Sequence, residues 1–554
     1  MKYINSLLIG LALFVAYLFG NVSFARDYLT IGITQFPSSF HPNIDNMLAK
    51  AYIQALTRRP LTVYNDKWKL QCMLCIKLPT LENGLAKKEI APNGRKGVAV
   101  TYTLHPNATW GDGRPVTTKD IIFTWKVGRH EKSGVGNMEF YRSLYKIDAI
   151  NEKTLVLHFD KLTFKYNDIS GFEILPSHIE NKYFSEPIKY KTRTAFDTDP
   201  TNPGLGFGPY RLTEVMRGSH VVLEPNPTWY GTKPHIKKII IKVISNTAAL
   251  EANLLSGDID MVAGELGFAV NQAVAFERRH GKRFQILYKS GLIYEHIDLN
   301  LDNSILKDRK VRQALLYAVD RIALTHQLFD GRQPVADSNV NPLDWVYSHE
   351  IRKYRYDPER AVELLKKAGW RMGKNGIRYN SKGKPLRLEL MTTAGNRSRE
   401  LVEQVLQSYW RAVGIDIRIR NEPARVFFGR TVSERKFTGL AMFAWISSPE
   451  SVPRTTLHSD HIPTANNNFA GQNYTGFRNS DMDYILETIE TQLNRKKRLK
   501  LWHRLQTIYA NELPVLPLYF RANSFIVPHW LQGVTPTGHQ HPTTLWAEHW
   551  RANK

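Results

Sequence analysis

Residues 439–446 constrain the fold of this chain most strongly, because they carry neither a charge nor a hydroxyl group. A run of this length and composition predicts a strand buried on both faces of a sheet. The chain then becomes polar at Ser447 and Ser448 and meets Pro449, so we expect the strand to end there. In open α/β sheets, ligands lie beyond the strand ends. Trp445, Ser447 and Ser448 are therefore candidate walls of a binding site, and the alternative is that Trp445 packs in a core.

The length and charge of the chain limit its class. A chain of 554 residues is too long for one hydrophobic core, so we expect roughly two to four domains or lobes. The formal net charge of +24 would suit nucleic acid, anionic lipid or an anionic ligand. However, the basic residues form short clusters, such as residues 278–283 and 495–498, and no zinc-finger spacing or basic arm is present. We predict a solvated basic surface and no nucleic-acid partner.

The start of the chain has the pattern of an export signal. Lys2 gives a positive start, residues 7–19 are apolar, and Ser23 and Ala25 are small residues at the positions that a signal peptidase reads. The apolar run is short for a membrane span. We predict a signal peptide over residues 1–25, cleavage after Ala25 and a periplasmic protein. An uncleaved membrane anchor is the alternative.

Cys72 and Cys75 are the two cysteines of the sequence. Their C-x-x-C spacing would suit a redox or metal site in a reducing compartment, but an exported protein meets oxidants. Zinc would need a second such pair or histidines at ligand spacing, and the sequence has neither. We predict a structural disulfide between these cysteines and no metal site.

Strand and helix signals alternate along the rest of the chain. Residues 28–33 and 99–104 alternate apolar and polar side chains, as strands do. Residues 398–413 form an amphipathic helical pattern, and residues 415–419 alternate again. This rhythm predicts α/β lobes.

Sequence signals for catalysis are absent. The chain contains no G-x-S-x-G elbow, no H-E-x-x-H pair and no P-loop. His539 and His541 form an H-x-H pair that could ligate a metal, but no further ligands are near in the sequence, and hydrogen bonding is the plainer role. We predict that the protein is not an enzyme and has no cofactor.

Several segments form an ordered set between residues 29 and 520. They are the strand, W-x-D-G-x-P turn and helix of residues 100–125, the segments 206–210 and 223–230, the L-x-x-G-x-I-D element of residues 254–260, and residues 300–321 and 356–370. Together they resemble the extracellular solute-binding proteins of ABC importers, in the oligopeptide- and dipeptide-binding group.

The resemblance implies a two-lobed α/β fold of the periplasmic-binding-protein type II, with a hinge and an extra domain inserted in the first lobe. The ligand would lie between the lobes. The implied boundaries are 26–66, 196–298 and 516–554 for the first lobe, 67–195 for the extra domain and 299–515 for the second lobe.

In that family, Trp445 falls in a segment that lines the ligand pocket. Peptide-binding members carry an aspartate three residues after this tryptophan, which pairs with the amino group of the ligand, and some carry an arginine three residues before it. Here Ser448 and Met442 stand at these positions. Burying an ammonium without a counter-charge is costly. Either Glu450 supplies the charge, or the ligand has no free ammonium at that point.

Phe36, Asn473 and Tyr474 are further wall candidates, and Ser447 and Ser448 would hydrogen-bond the ligand. For each residue, packing or turn capping is the alternative role. The resemblance implies a monomer that delivers a peptide to the transmembrane subunits of an ABC permease. A non-peptide solute such as a sugar, an opine-like compound or a modified peptide, a secreted hydrolase and an envelope scaffold remain alternatives.

Overall fold

A computed structural model describes residues 27–44, 47–244, 246–467, 469 and 471–553 of the protein. The predicted signal peptide, residues 1–25, lies outside the described residues. Within the described ranges, we find no helix with the length and apolar character needed to cross a membrane.

The strands of the described ranges are numbered in chain order. They are β1 (Tyr28–Ile33), β2 (Thr62–Tyr64), β3 (Leu70–Cys72), β4 (Ala86–Ile90), β5 (Lys96–Thr103), β6 (Leu144–Ala149), β7 (Thr154–Phe159), β8 (Tyr210–Met216), β9 (His220–Pro225), β10 (Lys238–Val243), β11 (Met261–Val262), β12 (Phe284–Leu299), β13 (Arg371–Met372), β14 (Arg378–Tyr379), β15 (Arg387–Met391), β16 (Asp416–Ile419), β17 (Leu440–Ile446), β18 (Val515–Pro528), β19 (Leu531–Gln532) and β20 (Arg551–Ala552).

Helices alternate with these strands. The α-helices are Leu48–Thr57, Thr118–Gly128, Met138–Ser143, Ser177–Phe184, Pro187–Tyr190, Ala195–Thr198, Thr247–Ser256, Val270–His280, Arg309–Tyr317, Arg321–Phe329, Pro358–Lys367, Arg397–Ala412, Ala424–Val426, Arg454–Leu457, Ser480–Thr491 and Arg495–Glu512. Short 3-10 turns lie at Pro203–Leu205, Ser459–His461, Ala465–Asn467 and Thr543–His549, and a π-helical turn at Phe427–Val432.

One mixed sheet of ten strands runs through the protein, in the order β16-β15-β17-β12-β18-β11-β1-β10-β9-β8. Parallel pairing occurs on both sides of its centre, between β1 and its neighbours β10 and β11, and between β15 and its neighbours β16 and β17. The strands β11, β1, β10, β9 and β8 form what we call the first half, and β16, β15 and β17 form the second half.

The central strands β12 and β18 join the two halves. They pair antiparallel from Phe284 opposite Pro528 to Asp298 opposite Val515, with an irregularity between Ser290 and Tyr294. In β18, Leu516 and Leu518 pack in the hydrophobic core of the second half, whereas Phe525 and Val527 pack in the core of the first half. The two strands therefore pass from one core to the other.

A second sheet, of order β4-β5-β7-β6, is built from antiparallel strands. Its inward side chains, such as Val98, Val100 and Leu157, belong to the same hydrophobic cluster as those of the first half. A separate hairpin pairs β2 with β3, from Thr62 opposite Cys72 to Tyr64 opposite Leu70. This part of the chain therefore shares one core with the first half of the main sheet.

Strand β17 differs in one respect from the buried strand that its sequence predicts. Its first four residues, Leu440 to Phe443, are buried, but the last three, Ala444 to Ile446, are not, and Ile446 is 73% exposed. Leu440 and Met442 belong to the core of the second half, and Ala441 and Phe443 pack with Phe427 and Val432 in a separate hydrophobic cluster. The end that carries Trp445 is therefore accessible.

Candidate functional site

The polar segment after β17 separates two cavities. Trp445, Ile446 and Ser447 line one of them, and Pro449 and Glu450 line the other. We call the first the sheet cavity and the second the cleft cavity. The end of β17 and the polar segment that follows it, Trp445 to Glu450, therefore form a wall that the two cavities share.

The sheet cavity has a volume of about 150 Å³ and lies on one face of the main sheet. Its floor comes from β12 and β17, where Tyr294 is opposite Trp445. Because side chains alternate along a strand, Tyr294, His296 and Asp298 all point to this face. The opposite face of β12 carries Ile297 and Leu299 into the core of the second half.

Aromatic rings form one side of the sheet cavity. The indole of Trp445 stacks on the Tyr474 ring, with centroids 5.9 Å apart, and lies nearly parallel to the His296 ring at 6.4 Å. The hydroxyl groups of Tyr294 and Tyr509 are 2.9 Å apart, which fixes both rings. Such flat, rigid surfaces suit apolar or planar groups of a ligand.

A buried polar pair lies in the same cavity. Asp298 is 3% exposed, and its Oδ1 atom is 3.3 Å from Nε2 of His296. His296 Nδ1 hydrogen-bonds the Tyr294 carbonyl oxygen, which only accepts, so Nδ1 carries the proton. Nε2 is buried and makes no hydrogen bond within the described residues. The cavity therefore offers polar atoms that a ligand can engage.

The cleft cavity is larger, about 480 Å³, and both halves of the protein contribute to it. On one side lie residues 64–70, which span the β2–β3 hairpin, and residues 164–168, which follow β7. On the other side lie residues 343–345, Glu450 and the start of the helix Arg495–Glu512. A solute in this space would touch both halves at once.

Lys165 reaches across the cleft to the segment after β17. Its Nζ atom donates to the Ser448 hydroxyl over 3.2 Å and to the Pro449 carbonyl oxygen over 2.9 Å. Burial lowers the pKa of Lys165, against the raising effect of three carboxylates farther away. The hydroxyl of Ser448 is thus engaged by a cation that the protein itself supplies.

Comparison with known sequences identifies the family. The model of the bacterial extracellular solute-binding proteins, family 5, middle region, matches residues 80–463, which is more than half of the chain. The chain belongs to the bacterial extracellular solute-binding proteins of family 5. The resemblance that the ordered sequence segments indicate is confirmed.

Relatives of this family 5 protein cover nearly all of its length. It is 25% identical over 513 residues to the oligopeptide-binding protein AppA of Bacillus subtilis, spanning 91% of this chain and 88% of that protein. It is 28% identical to the oligopeptide-binding protein of Thermus thermophilus in a complex with a pentapeptide, with a TM-score of 0.71 and coverage of 95% and 96%.

A third comparison supports the fold alone. The structure of Bacillus subtilis AppA in complex with a nonapeptide is 23% identical, with a TM-score of 0.71 over 96% of this chain and 99% of that one. The predicted α/β fold of the periplasmic-binding-protein type is therefore confirmed for this family 5 protein.

Glu450 is already engaged by other residues of the protein. Its carboxylate is ion-paired with the Arg498 guanidinium and accepts from Trp345 Nε1 over 3.0 Å. The Glu450 backbone has φ of 50°, a left-handed conformation, and its N–H donates to Asp344 over 2.6 Å. Burial raises the pKa of Asp344. Glu450 therefore has a counter-charge without a ligand.

The other sequence candidates lie at different distances from the cavities. Ser447 lines the sheet cavity, and its hydroxyl donates to the Leu292 carbonyl oxygen over 3.4 Å. Tyr474 supports Trp445 from behind. Phe36 lines neither cavity and packs edge-on against Phe40 in the first half, with centroids 6.0 Å apart.

Asn473 has no polar atom left for a ligand. It is fully buried, and its Nδ2 donates to the carbonyl oxygens of His458 and Phe477. Its Oδ1 accepts from the Thr475 hydroxyl and the Phe477 N–H. Asn473 therefore caps a turn, which was the alternative role that the sequence allowed. Its neighbour Gln472 lines the sheet cavity instead.

Cys72 and Cys75 are joined by a disulfide, with Cα atoms 5.1 Å apart. The bond lies at the end of β3, next to the hairpin that forms one wall of the cleft cavity. The turn of this hairpin is also anchored by Trp68, whose Nε1 donates to the Thr537 carbonyl oxygen over 2.8 Å, and by His539, whose Nε2 is 3.1 Å from the Asn65 carbonyl oxygen.

Two functional candidates, Asp298 and Lys165, do not emerge from the sequence motifs. A signal for the first exists, since His296 and Asp298 interrupt an otherwise strand-like segment with polar groups two residues apart. Lys165 carries no such signal, because its partner Ser448 is 283 positions away along the chain.

Proposed function

We propose that this protein captures a peptide between its two halves and delivers it to the transmembrane subunits of an ABC permease. The observation that carries this proposal is the cleft cavity, which is lined from both halves and adjoins the Trp445 segment. The names of its relatives, oligopeptide-binding proteins of Bacillus and Thermus, favour a peptide over other solutes.

The central strands suggest how capture works. In this proposal the lobes are residues 26–66, 196–298 and 516–554 on one side and 299–515 on the other, with 67–195 as an extra domain of the first lobe. Rotation would occur where β12 and β18 pass between the cores, near the irregular pairing of Ser290 and Tyr294. A ligand that contacts both lobes only when they are closed shifts the population toward the closed form.

In this proposal, different residues of the site contact different parts of the ligand. Trp445 would form an apolar wall of the sheet cavity, and Ser447 would hydrogen-bond the ligand. Asp298 would accept from an amino group of the ligand, because it is the carboxylate that lines this cavity. Glu450 would keep its structural pairing with Arg498.

Location and assembly follow from the same proposal. The chain would be exported to the periplasm with cleavage after Ala25 and would act as a monomer without catalytic activity. Family membership supports an extracellular solute-binding role.

Purification of the mature chain, followed by mass spectrometry of the co-purifying solute, tests the proposal. We expect peptides, and we expect that adding them back to the stripped protein raises its Tm, because a ligand that binds only the folded state stabilises it. A bound sugar or other non-peptide solute, turnover of a substrate, or binding of large polyanions alone would contradict the proposal.

A further inference from the structure

The charges that line the cleft cavity are unequal in number. Among the lining residues, the cationic side chains are Lys67, Lys69, Lys165, Arg495 and Arg498, and the carboxylates are Asp168, Asp344 and Glu450. Five cations against three carboxylates leave a surplus of positive charge in a partly enclosed space. Such a space attracts anions, and the net charge of +24 adds a long-range attraction of the same sign.

Each of the three carboxylates already has donors within the protein. Asp168 accepts from the Tyr64 hydroxyl over 2.8 Å and from the Ser170 hydroxyl over 2.7 Å. Asp344 accepts from the Glu450 backbone N–H, and Glu450 is paired with Arg498. The negative groups of the cavity are therefore satisfied without a ligand.

Among the described residues, the cations that line the cavity make no ion pair with a carboxylate, except for Arg498. Lys165 Nζ donates to two neutral oxygens, those of Ser448 and Pro449, and makes no ion pair in the part of the chain that the structure describes. The Arg495 guanidinium lies 3.9 Å from the centroid of the Trp345 ring and likewise has no carboxylate partner among the described residues. A partly buried ammonium without a counter-charge is unfavourable until an anion approaches.

We propose that the cleft cavity binds a carboxylate group of the solute, and that Lys165 is the residue that selects it. This inference rests on the proposed capture of a solute between the halves. A carboxylate would complete the hydrogen bonding of the Lys165 ammonium with a charged acceptor, which is stronger than a neutral one. Arg495, held over the Trp345 ring, would reinforce the attraction from the other side of the cleft.

Lys161 provides a matched control for this role. Like Lys165, it reaches from the segment after β7 to the second half, where its Nζ is 2.7 Å from Glu490 Oε2. It does not line the cleft cavity. Replacing Lys161 removes only a contact between the halves, whereas replacing Lys165 also removes the charge that faces the solute, so the two effects can be separated.

The test uses the full mature protein and two random libraries of penta- to nonapeptides that lack Asp and Glu, one with free C-terminal carboxylates and one amidated. We expect at least about tenfold preferential capture of the free acids, loss of that preference in Lys165→Met, and its retention in Lys165→Arg and Lys161→Met. A third library, amidated but containing Asp and Glu, supplies the carboxylate from side chains, and its preferential capture over the amidated library without them would identify a side chain as the source.

Salt dependence gives a second measurement that needs no variant. Binding of the free-acid library should weaken more steeply as ionic strength rises than binding of the amidated library, because only the free acids carry the carboxylate that faces Lys165. Equal capture of all three libraries with equal salt dependence, or an unchanged preference in Lys165→Met, would overturn this inference and leave peptide capture intact. Capture of none of the libraries would overturn the proposed function and the inference with it.

Discussion

The indole of Trp445 stacks on the ring of Tyr474, with 5.9 Å between the ring centroids and 24° between the planes. This contact holds the indole upright beside the sheet cavity at the point where β17 leaves the core. The tryptophan is therefore already oriented before a ligand arrives, which reduces the entropy lost on binding.

We expect Trp445→Ala to weaken peptide binding by about tenfold or more, because a large rigid aromatic wall is lost. The folded state should persist, since the indole lies at the half-buried end of its strand. Isothermal titration with the peptides that co-purify measures the first effect and circular dichroism the second. Trp229→Ala, which removes a partly buried tryptophan of the first half, is the control. Equal affinities of the natural protein and both variants would place the pocket elsewhere.

Replacement of Asp298 by Asn tests the polar side of the same cavity. If its carboxylate accepts from an amino group, Asp298→Asn should lower affinity for peptides with free amino groups by roughly 2 kcal/mol and leave acetylated peptides unaffected. Asp302→Asn is a suitable control, because Asp302 is 71% exposed at its side chain and pairs with Arg435 outside the cavity. An equal loss for both peptide classes would contradict the assignment.

The pairing of Glu450 with Arg498 predicts a cost in stability. In Arg498→Met, packing against Phe164 is largely kept but the Glu450 carboxylate loses its counter-charge. We expect the free energy of unfolding to fall by about 3 kcal/mol, measured by urea titration. Lys500→Met, at an exposed position of the same helix, should change it by less than about 0.5 kcal/mol. Similar values for the two variants would show that the pair is not buried in solution.

Glu180 predicts a pH dependence of stability. It is fully buried, accepts from the Tyr190 hydroxyl and the Ala195 N–H, and has its pKa raised by burial to about 7, from 4.5 in an exposed carboxyl. Between these two pH values the folded state holds more protons than the unfolded state, so this stabilisation is complete below pH 4.5 and is lost as pH rises through 7.

In Glu180→Gln this titration is absent. The unfolding free energy of the variant, relative to the natural protein, should therefore rise by roughly 3 kcal/mol between about pH 4.5 and 8. Glu186→Gln, at an exposed carboxyl whose pKa is lowered by Lys189, should leave the slope in this window unchanged. Urea unfolding at several pH values provides the comparison, and parallel profiles for Glu180→Gln and the natural protein would refute the prediction.

The sequence predicts the fold well because the family segments and the strand periodicity are local patterns. The uncharged run that becomes β17 is one example, and its abrupt polar end correctly marks an accessible strand terminus. The surroundings of that terminus depend instead on which strands are neighbours. Asp298 reaches the cavity beside Trp445 because β12 pairs with β17, and this pairing has no local signature.

The pairing of charges in the site is likewise not predictable from local sequence. Glu450 is a natural candidate to pair with a ligand ammonium when only its own segment is considered. The helix Arg495–Glu512 brings Arg498 to it, and the segment after β7 brings Lys165 to Ser448. Both contacts are tertiary, so their effect on charge recognition follows from the fold and not from the motif.

The disulfide between Cys72 and Cys75 bears on the shape of the cleft cavity. A loop this short restricts the unfolded chain less than a long one, so the bond adds comparatively little to global stability. It instead fixes the end of the hairpin that carries Tyr64 and Trp68 into the cleft cavity. Reduction of this bond is therefore expected to loosen one wall of the cleft cavity while the two hydrophobic cores stay folded.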